Sequence, residues 1–179
     1  CYSVTWRLPR TSWITWTGGG SSAFTNPANW YPAGAPGPAS LVLVEANGAN
    51  PPVISTAVAV AEMRIGGAGV VTLTANQPFT VSGDLLILTN ATLTHSANGT
   101  AAVWRVQATV GGDIILRGAI DTDYRGFGPA SSVAAGALTG RGPGGGWTSG
   151  NFGPGRGSGG GHGGVGGECI DDSPPPYRL

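Results

Sequence analysis

The sequence contains no lysine, so all nine of its basic residues are arginines. A Schiff-base lysine, a phosphate-loop lysine and a Lys–Asn isopeptide cross-link are therefore excluded. Charge of either sign is scarce, at 10% of the residues, and the formal net charge is zero. Because binding to phosphates needs a concentrated positive field, this composition argues against a nucleic-acid partner.

Two further consequences follow from what is scarce. A protein near zero net charge tends to self-associate, although low charge is also typical of secreted proteins rich in Gly, Ala and Thr. No apolar run reaches the length that a membrane-spanning segment needs. Because the chain starts at Cys1 rather than at a methionine, we expect a processed form or a fragment of a longer precursor.

The chain has only two cysteines, Cys1 and Cys169. In an exported protein such a pair favours one disulfide between the first strand region and the tail. Closing so long a loop would stabilise the fold by about 4–5 kcal/mol in the chain-entropy model. Free thiols, separately paired thiols and a lipid-modified Cys1 are the alternatives.

The chain is rich in short segments in which apolar residues alternate with other residues, and turn residues separate these segments. Short segments recur from Leu41 to Asp121, rich in β-branched residues and separated by Gly, Asn, Ser or Pro, and no stretch shows a helical period with caps. Frequent corners between short strands favour a parallel β-solenoid, and a β-sandwich or jelly roll is the alternative. The residues that we expect to point into the core are Ile65, Leu73, Val81, Leu88 and Leu116.

Composition divides the chain into three regions within one domain. Residues 1–38 are rich in Trp, Pro and Gly and predict an aromatic cap, and residues 39–139 predict the solenoid coils. Residues 140–179 are a glycine-rich segment and a proline-rich tail, with sixteen glycines between Gly140 and Gly167. That segment is either a flexible linker or an ordered stack of extended strands anchored by Trp147 and Phe152.

One resemblance rests on quoted residues. Trp16-Thr17-Gly18-Gly19-Gly20, Asn26-Pro27-Ala28-Asn29-Trp30 and Pro36-Gly37, with the glycine-rich runs near the end of the chain, resemble bacterial autotransporter-like and adhesin-like β-solenoid surface proteins. The resemblance implies a secreted, right-handed parallel β-helix at the cell surface, used as an adhesin, a stalk or a matrix component. The chain departs from an autotransporter because it lacks a membrane-barrel segment.

Few residues suggest chemistry. Asp121 and Asp123 could share one face of a strand, and with Asp113 they form a weak candidate for a calcium site, but a polar turn explains them more simply. His95 and His162 are far apart and lack metal-ligand spacing. The tryptophans could stack on sugar rings, although packing anchors are the commoner role for Trp in this setting.

The sequence therefore predicts an all-β structure: a short right-handed parallel β-solenoid with an aromatic N-terminal cap and a glycine-rich C-terminal region. The predicted function is structural and non-enzymatic, that of a secreted, self-assembling subunit of an extracellular filament, sheath or matrix. A carbohydrate-binding adhesin module is the alternative, with surface polysaccharide as its partner, and a polysaccharide-degrading β-helix enzyme is less favoured. The candidates for assembly or ligand stacking are Trp13, Trp16, Trp30, Trp147, Phe152 and His162.

Overall fold

The computed structural model describes residues 13–99 and 101–127, together with the backbone of 138–139 and 147–148. These residues fall into two compact units. The described part of the first unit comprises residues 13–96 and 104–123, and that of the second comprises the remainder.

Short strands dominate the first unit, and the one helical element in the part of the chain that is described is a single 3-10 turn at Pro27–Asn29. The strands are β1 (Trp13–Trp16), β2 (Trp30–Tyr31), β3 (Leu41–Val44), β4 (Val53–Ile54), β5 (Val58–Val60), β6 (Glu62–Ile65), β7 (Val71–Ala75), β8 (Phe79–Val81), β9 (Leu85–Ile87), β10 (Ala91–Thr94), β11 (Ala108–Val110), β12 (Ile114–Leu116), β13 (Ala119–Ile120), β14 (Leu138–Thr139) and β15 (Trp147–Thr148).

The first unit contains three sheets. Sheet A has the order β12-β9-β6-β3-β1-β2, sheet B the order β13-β10-β7-β4, and sheet C the order β11-β8-β5. Every named pairing in these sheets is parallel except that of β1 with β2. The predicted all-β, largely parallel architecture is thus confirmed. The antiparallel sandwich does not describe this unit, because its sheets would pair strands in the opposite sense.

Consecutive strands enter the sheets in a fixed rotation. The strands β3, β4 and β5 join sheets A, B and C in turn, and β6–β8 and β9–β11 repeat that order. In sheet A, Val42 pairs with Met63 and Met63 pairs in turn with Leu85, so the spacing along the chain is nearly constant from one strand to the next. We call each such set of strands a three-strand repeat.

The third repeat is longer than the others. Val58 of β5 pairs with Phe79 of β8, whereas Phe79 pairs with Ala108 of β11, which lies considerably farther along the chain from its partner. The extra length lies between β10 and β11 and includes residues 97–103, which belong to the second unit. This insertion breaks the period and hides the repeat in the amino-acid sequence.

The core consists of side chains stacked between repeats. Each strand alternates inward and outward side chains, and the parallel register places inward residues of successive repeats next to each other, as in the row Val44–Ile65–Ile87. The predicted inward positions Ile65, Leu73 and Val81 are confirmed, since each is fully buried. Further rows of stacked core side chains are Val42–Met63–Leu85 in sheet A, Leu73–Leu93 in sheet B and Val60–Val81 in sheet C.

Two of the predicted inward positions need correction. Leu88 is only half-buried, because it follows β9 and Ile87 takes the inward position. Leu116 is 51% exposed. It occupies an inward register position opposite Ile87, but no further strand covers it within the described residues.

In the second unit, β14 and β15 form a two-stranded antiparallel ladder. The backbone amide of Asn98 donates a hydrogen bond to the carbonyl of Arg125 (3.0 Å), which ties residues 97–99 to residues 124–127.

Candidate functional site

Three aromatic rings that pack against one another close the core next to β1 and β2. Trp16 lies at the end of β1, Phe24 in the loop after it and Trp30 at the start of β2, and each is at most 4% exposed. Trp30 meets both other rings edge-on, with centroids 5.1 Å from Trp16 and 4.9 Å from Phe24. Edge-to-face pairs of this kind each stabilise a fold by about 0.5–1.5 kcal/mol beyond the burial of their area.

The polar residues of this cap hold the loop in a single conformation. Asn29 is fully buried, and its Oδ1 accepts hydrogen bonds from the backbone amides of Gly20 and Ser21, both at 2.8 Å. Its Nδ2 donates to the Ser21 hydroxyl and to the Ala23 carbonyl. One side chain thus satisfies three backbone groups of the loop, as a buried amide must to offset its desolvation.

The tryptophan N–H groups are also used within the cap. Trp30 Nε1 donates to the carbonyl of Phe24 at 2.7 Å, and Trp16 Nε1 donates to the carbonyls of Asn47 and Asn50. The Asn50 side chain returns a hydrogen bond to the Gly18 carbonyl. The cap is therefore bonded to the turn between β3 and β4, and it acts as a structural closure of the core.

At this end of the first unit the edge of sheet A is short. Strand β2 covers β1 in the antiparallel sense, with Trp16 opposite Trp30 and Thr15 opposite Tyr31. The next residue is Pro32, which follows a cis peptide bond and has no backbone N–H to donate. A two-residue strand that ends at a proline gives a neighbouring chain little backbone to pair with.

At the opposite end of the sheets the last strands, β12 and β13, carry apolar side chains and have no neighbour on one side among the described residues. Ile114 and Leu116 of β12 and Ile120 of β13 lie in register with Leu85, Ile87 and Leu93 of the preceding repeat. Those three partners are at most 2% exposed, whereas Ile114, Leu116 and Ile120 are 56%, 51% and 48% exposed. The same register position is therefore core in one repeat and surface in the next. We call Ile114, Ile115, Leu116 and Ile120 the open end.

Sequence reasoning missed this surface and treated residues 114–116 as an ordinary core strand. No local signal separates it from the core, because β12 (Ile114-Ile115-Leu116) and the buried strand β9 (Leu85-Leu86-Ile87) each consist of three large apolar residues in succession. All three residues of β12 are exposed, on both faces of the strand.

The aromatic residues singled out from the sequence lie in different environments. Trp16 and Trp30 lie in the core, where neither ring is open to a ligand. Trp13 is half-buried on the outer side of sheet A, and the Arg64 guanidinium lies 5.3 Å from its ring centroid. Trp147 lies in β15. The other candidates, Phe152, His162 and the cysteines Cys1 and Cys169, fall outside the described residues.

The acidic candidates take part in one local turn, at residues 121–123, and in one contact between neighbouring repeats, at Asp113. An oxygen of Asp121 accepts a hydrogen bond from the Asp123 amide (2.9 Å), and an oxygen of Asp84 accepts one from the Asp113 amide. Within residues 13–99 and 101–127, no three acidic, His or Cys side chains come together in a way that would hold a metal ion. His95 is buried, and its Nδ1 lies 2.8 Å from the Ser96 carbonyl, to which it donates.

The comparisons with known proteins identify no relative: no family model, curated protein or solved structure matches this chain. The resemblance to autotransporter-like and adhesin-like surface proteins therefore stays a hypothesis based on the quoted residues. Among the described residues, no helix is long and apolar enough to cross a membrane.

Proposed function

We propose that this chain is a secreted or cell-surface structural protein, a non-enzymatic subunit of an extracellular assembly such as a filament, sheath or matrix. The observation that carries this proposal is the open end, where rows of core side chains finish as exposed Ile114, Leu116 and Ile120. Exposed apolar side chains of this kind, gathered at one end of a module, are typical of a surface that binds another protein.

The proposal includes a right-handed parallel β-solenoid as the architecture of the first unit. Three successive repeats, each of which adds one strand to each of three parallel sheets, support it. Parallel strands joined by crossovers are almost always connected in the right-handed sense. In a solenoid each repeat contacts only its neighbours, so the last repeat needs either a cap or a partner.

The two ends of the unit differ in what they offer to a second molecule. One end has a satisfied polar network, buried aromatic rings and a two-residue edge strand. The other presents apolar side chains on β12 and β13, and neither strand has a partner on its outer edge among the described residues. Burial of apolar surface stabilises an association by about 25 cal/mol per Å², so binding of a second molecule to the open end is favoured.

We expect Leu116→Asp to weaken self-association, because it places a charge in the centre of the apolar contact. The measurement is sedimentation velocity over a wide range of protein concentration, beside the unchanged protein. Val70→Asp is the matched control, since Val70 is 70% exposed and lies in the turn before β7, away from the open end. Equal self-association of the two variants would contradict the proposed function, as would an unchanged protein that stays monomeric.

A further inference from the structure

The strand at the open end has an unusual symmetry of charge. Strand β12 is preceded by Asp113 and followed by Arg117, so the segment reads Asp113-Ile114-Ile115-Leu116-Arg117. All five residues are exposed. Three apolar residues thus form the centre of the segment, with one charged residue at each end, and the two charges have opposite signs.

The backbone of β12 offers hydrogen bonds at its open edge. The Asp113 carbonyl accepts from the Leu85 amide (2.9 Å), and the Arg117 amide donates to the Ile87 carbonyl (2.7 Å), so both residues direct these groups toward β9. Successive residues of a strand direct their N–H and C=O groups to opposite sides. Ile114 and Leu116 therefore direct theirs away from β9, to the edge that no described strand covers.

We propose that β12 pairs with β12 of a second copy of this chain, in the antiparallel sense, about a two-fold axis at Ile115. The proposal rests on the proposed function and names its partner and geometry. Ile114 of one copy lies opposite Leu116 of the other, and the two exchange both N–H···O bonds, as do Leu116 and Ile114 in return. These side chains are on the core side, so the apolar rows continue from one copy into the next.

Charge selects the antiparallel sense. In this register Asp113 of each copy lies opposite Arg117 of the other, while Ile115 meets its own copy at the axis. A parallel pairing of the same strands in register would place Asp113 beside Asp113 and Arg117 beside Arg117. Opposite charges across a strand pair stabilise it, and like charges directly opposite destabilise it, so the antiparallel dimer is favoured on both counts.

The pairing closes on itself. A two-fold interface uses the same surface on both copies, so the free edge of β12 is occupied in both copies when two molecules bind. On sheet A the far edge is the two-residue strand β2 followed by Pro32. The geometry therefore points to a dimer as the building block, and any larger assembly would form through a different surface.

The test exchanges charges at the two flanking positions. Asp113→Arg alone places arginine opposite arginine, and Arg117→Asp alone places aspartate opposite aspartate. We expect each single variant to raise the dimer dissociation constant by about tenfold or more, since two pairs per interface change from attraction to repulsion. An equimolar mixture of the two variants restores opposite charges at every pair, and we expect it to dimerise. The double variant with both exchanges is expected to dimerise by itself.

The measurement is sedimentation equilibrium of the full chain, with circular dichroism melting to show that each variant is folded. Hydrogen exchange adds a second readout, because the amides of Ile114 and Leu116 become protected as protein concentration rises. Single variants that dimerise as well as the unchanged protein, or a mixture that stays monomeric, would overturn the antiparallel pairing and leave the proposed function standing. An unchanged protein that is monomeric at every concentration would overturn both.

Discussion

At the scale of single residues, the most connected side chain is Asn29. Its amide binds two backbone N–H groups, one hydroxyl and one carbonyl, all within the loop of residues 20–29. Neither a hydrophobic residue nor a carboxylate could replace it, since the site needs an acceptor and a donor on one planar group. The segment Asn26-Pro27-Ala28-Asn29-Trp30 thus has a structural role in this chain, because its residues help to close the core.

We expect Asn29→Ala to lower the free energy of unfolding by about 2–4 kcal/mol, because it removes a fully buried side chain and with it the hydrogen-bond partner of the amides of Gly20 and Ser21 and of the carbonyl of Ala23. Chemical denaturation followed by tryptophan fluorescence measures the change. Asn26→Ala is the graded control. Asn26 caps the 3-10 turn through the Ala28 amide and is only half-buried, so its loss is expected to cost about 1 kcal/mol. Equal effects would mean that burial of the amide carries no extra weight.

At the scale of elements, the corners between strands depend on glycine where turns of successive layers touch. Gly48 has φ +65° and lies between β3 and β4. A Cβ on it would meet the carbonyl of Thr17, which follows β1. Gly18 has φ +63°, and a Cβ there would lie 2.6 Å from the Asn50 carbonyl oxygen. The left-handed conformation and the lack of space act together at these two positions.

Gly48→Ala is expected to destabilise the protein by roughly 2 kcal/mol or more, since the left-handed conformation alone costs about 1–2 kcal/mol for an L-residue and the Thr17 carbonyl must also move. Gly34→Ala is the matched control. Gly34 has no positive φ and has open space around its Cβ position, so this change is expected to be neutral or slightly stabilising. Thermal denaturation of both variants checks the difference, and a Gly48 variant as stable as the Gly34 variant would show that the corner adjusts freely.

At the scale of the whole first unit, protection is expected to follow position in the stack. Strand β6 pairs with β3 on one side and β9 on the other, and β7 lies between β4 and β10. Strands β12 and β13 are paired on one side only within the described residues. In stacked repeats, opening proceeds from the ends, because end repeats have one neighbour instead of two.

The expected result in dilute solution is that amides of β6 and β7 exchange with solvent slowest, while those of β12 and β13 exchange fastest among the parallel strands. Hydrogen exchange read by NMR or mass spectrometry measures this. The β1 strand is the internal control: it lies near an end of sheet A but is covered by β2 and bonded to the aromatic cap, so it should exchange more slowly than β12. The reverse order would show that the cap does not close its end.

Much of the described fold could be predicted from the sequence, because it depends on local pattern. Short segments of alternating apolar residues between turn residues specify the strands and their inward side chains, as at Ile65, Leu73 and Val81. The scarcity of charge and the absence of lysine follow from composition alone. Only the tertiary structure decided which inward positions are core and which are surface. Leu116 has the same pattern as its register partner Ile87, but burial depends on whether another strand lies beyond, and no local pattern contains that information. The same reason explains the tryptophans: the cap buries Trp16 and Trp30 and leaves Trp13 half-buried, a difference that depends on contacts with Phe24 and with the distant turn at Asn47 and Asn50.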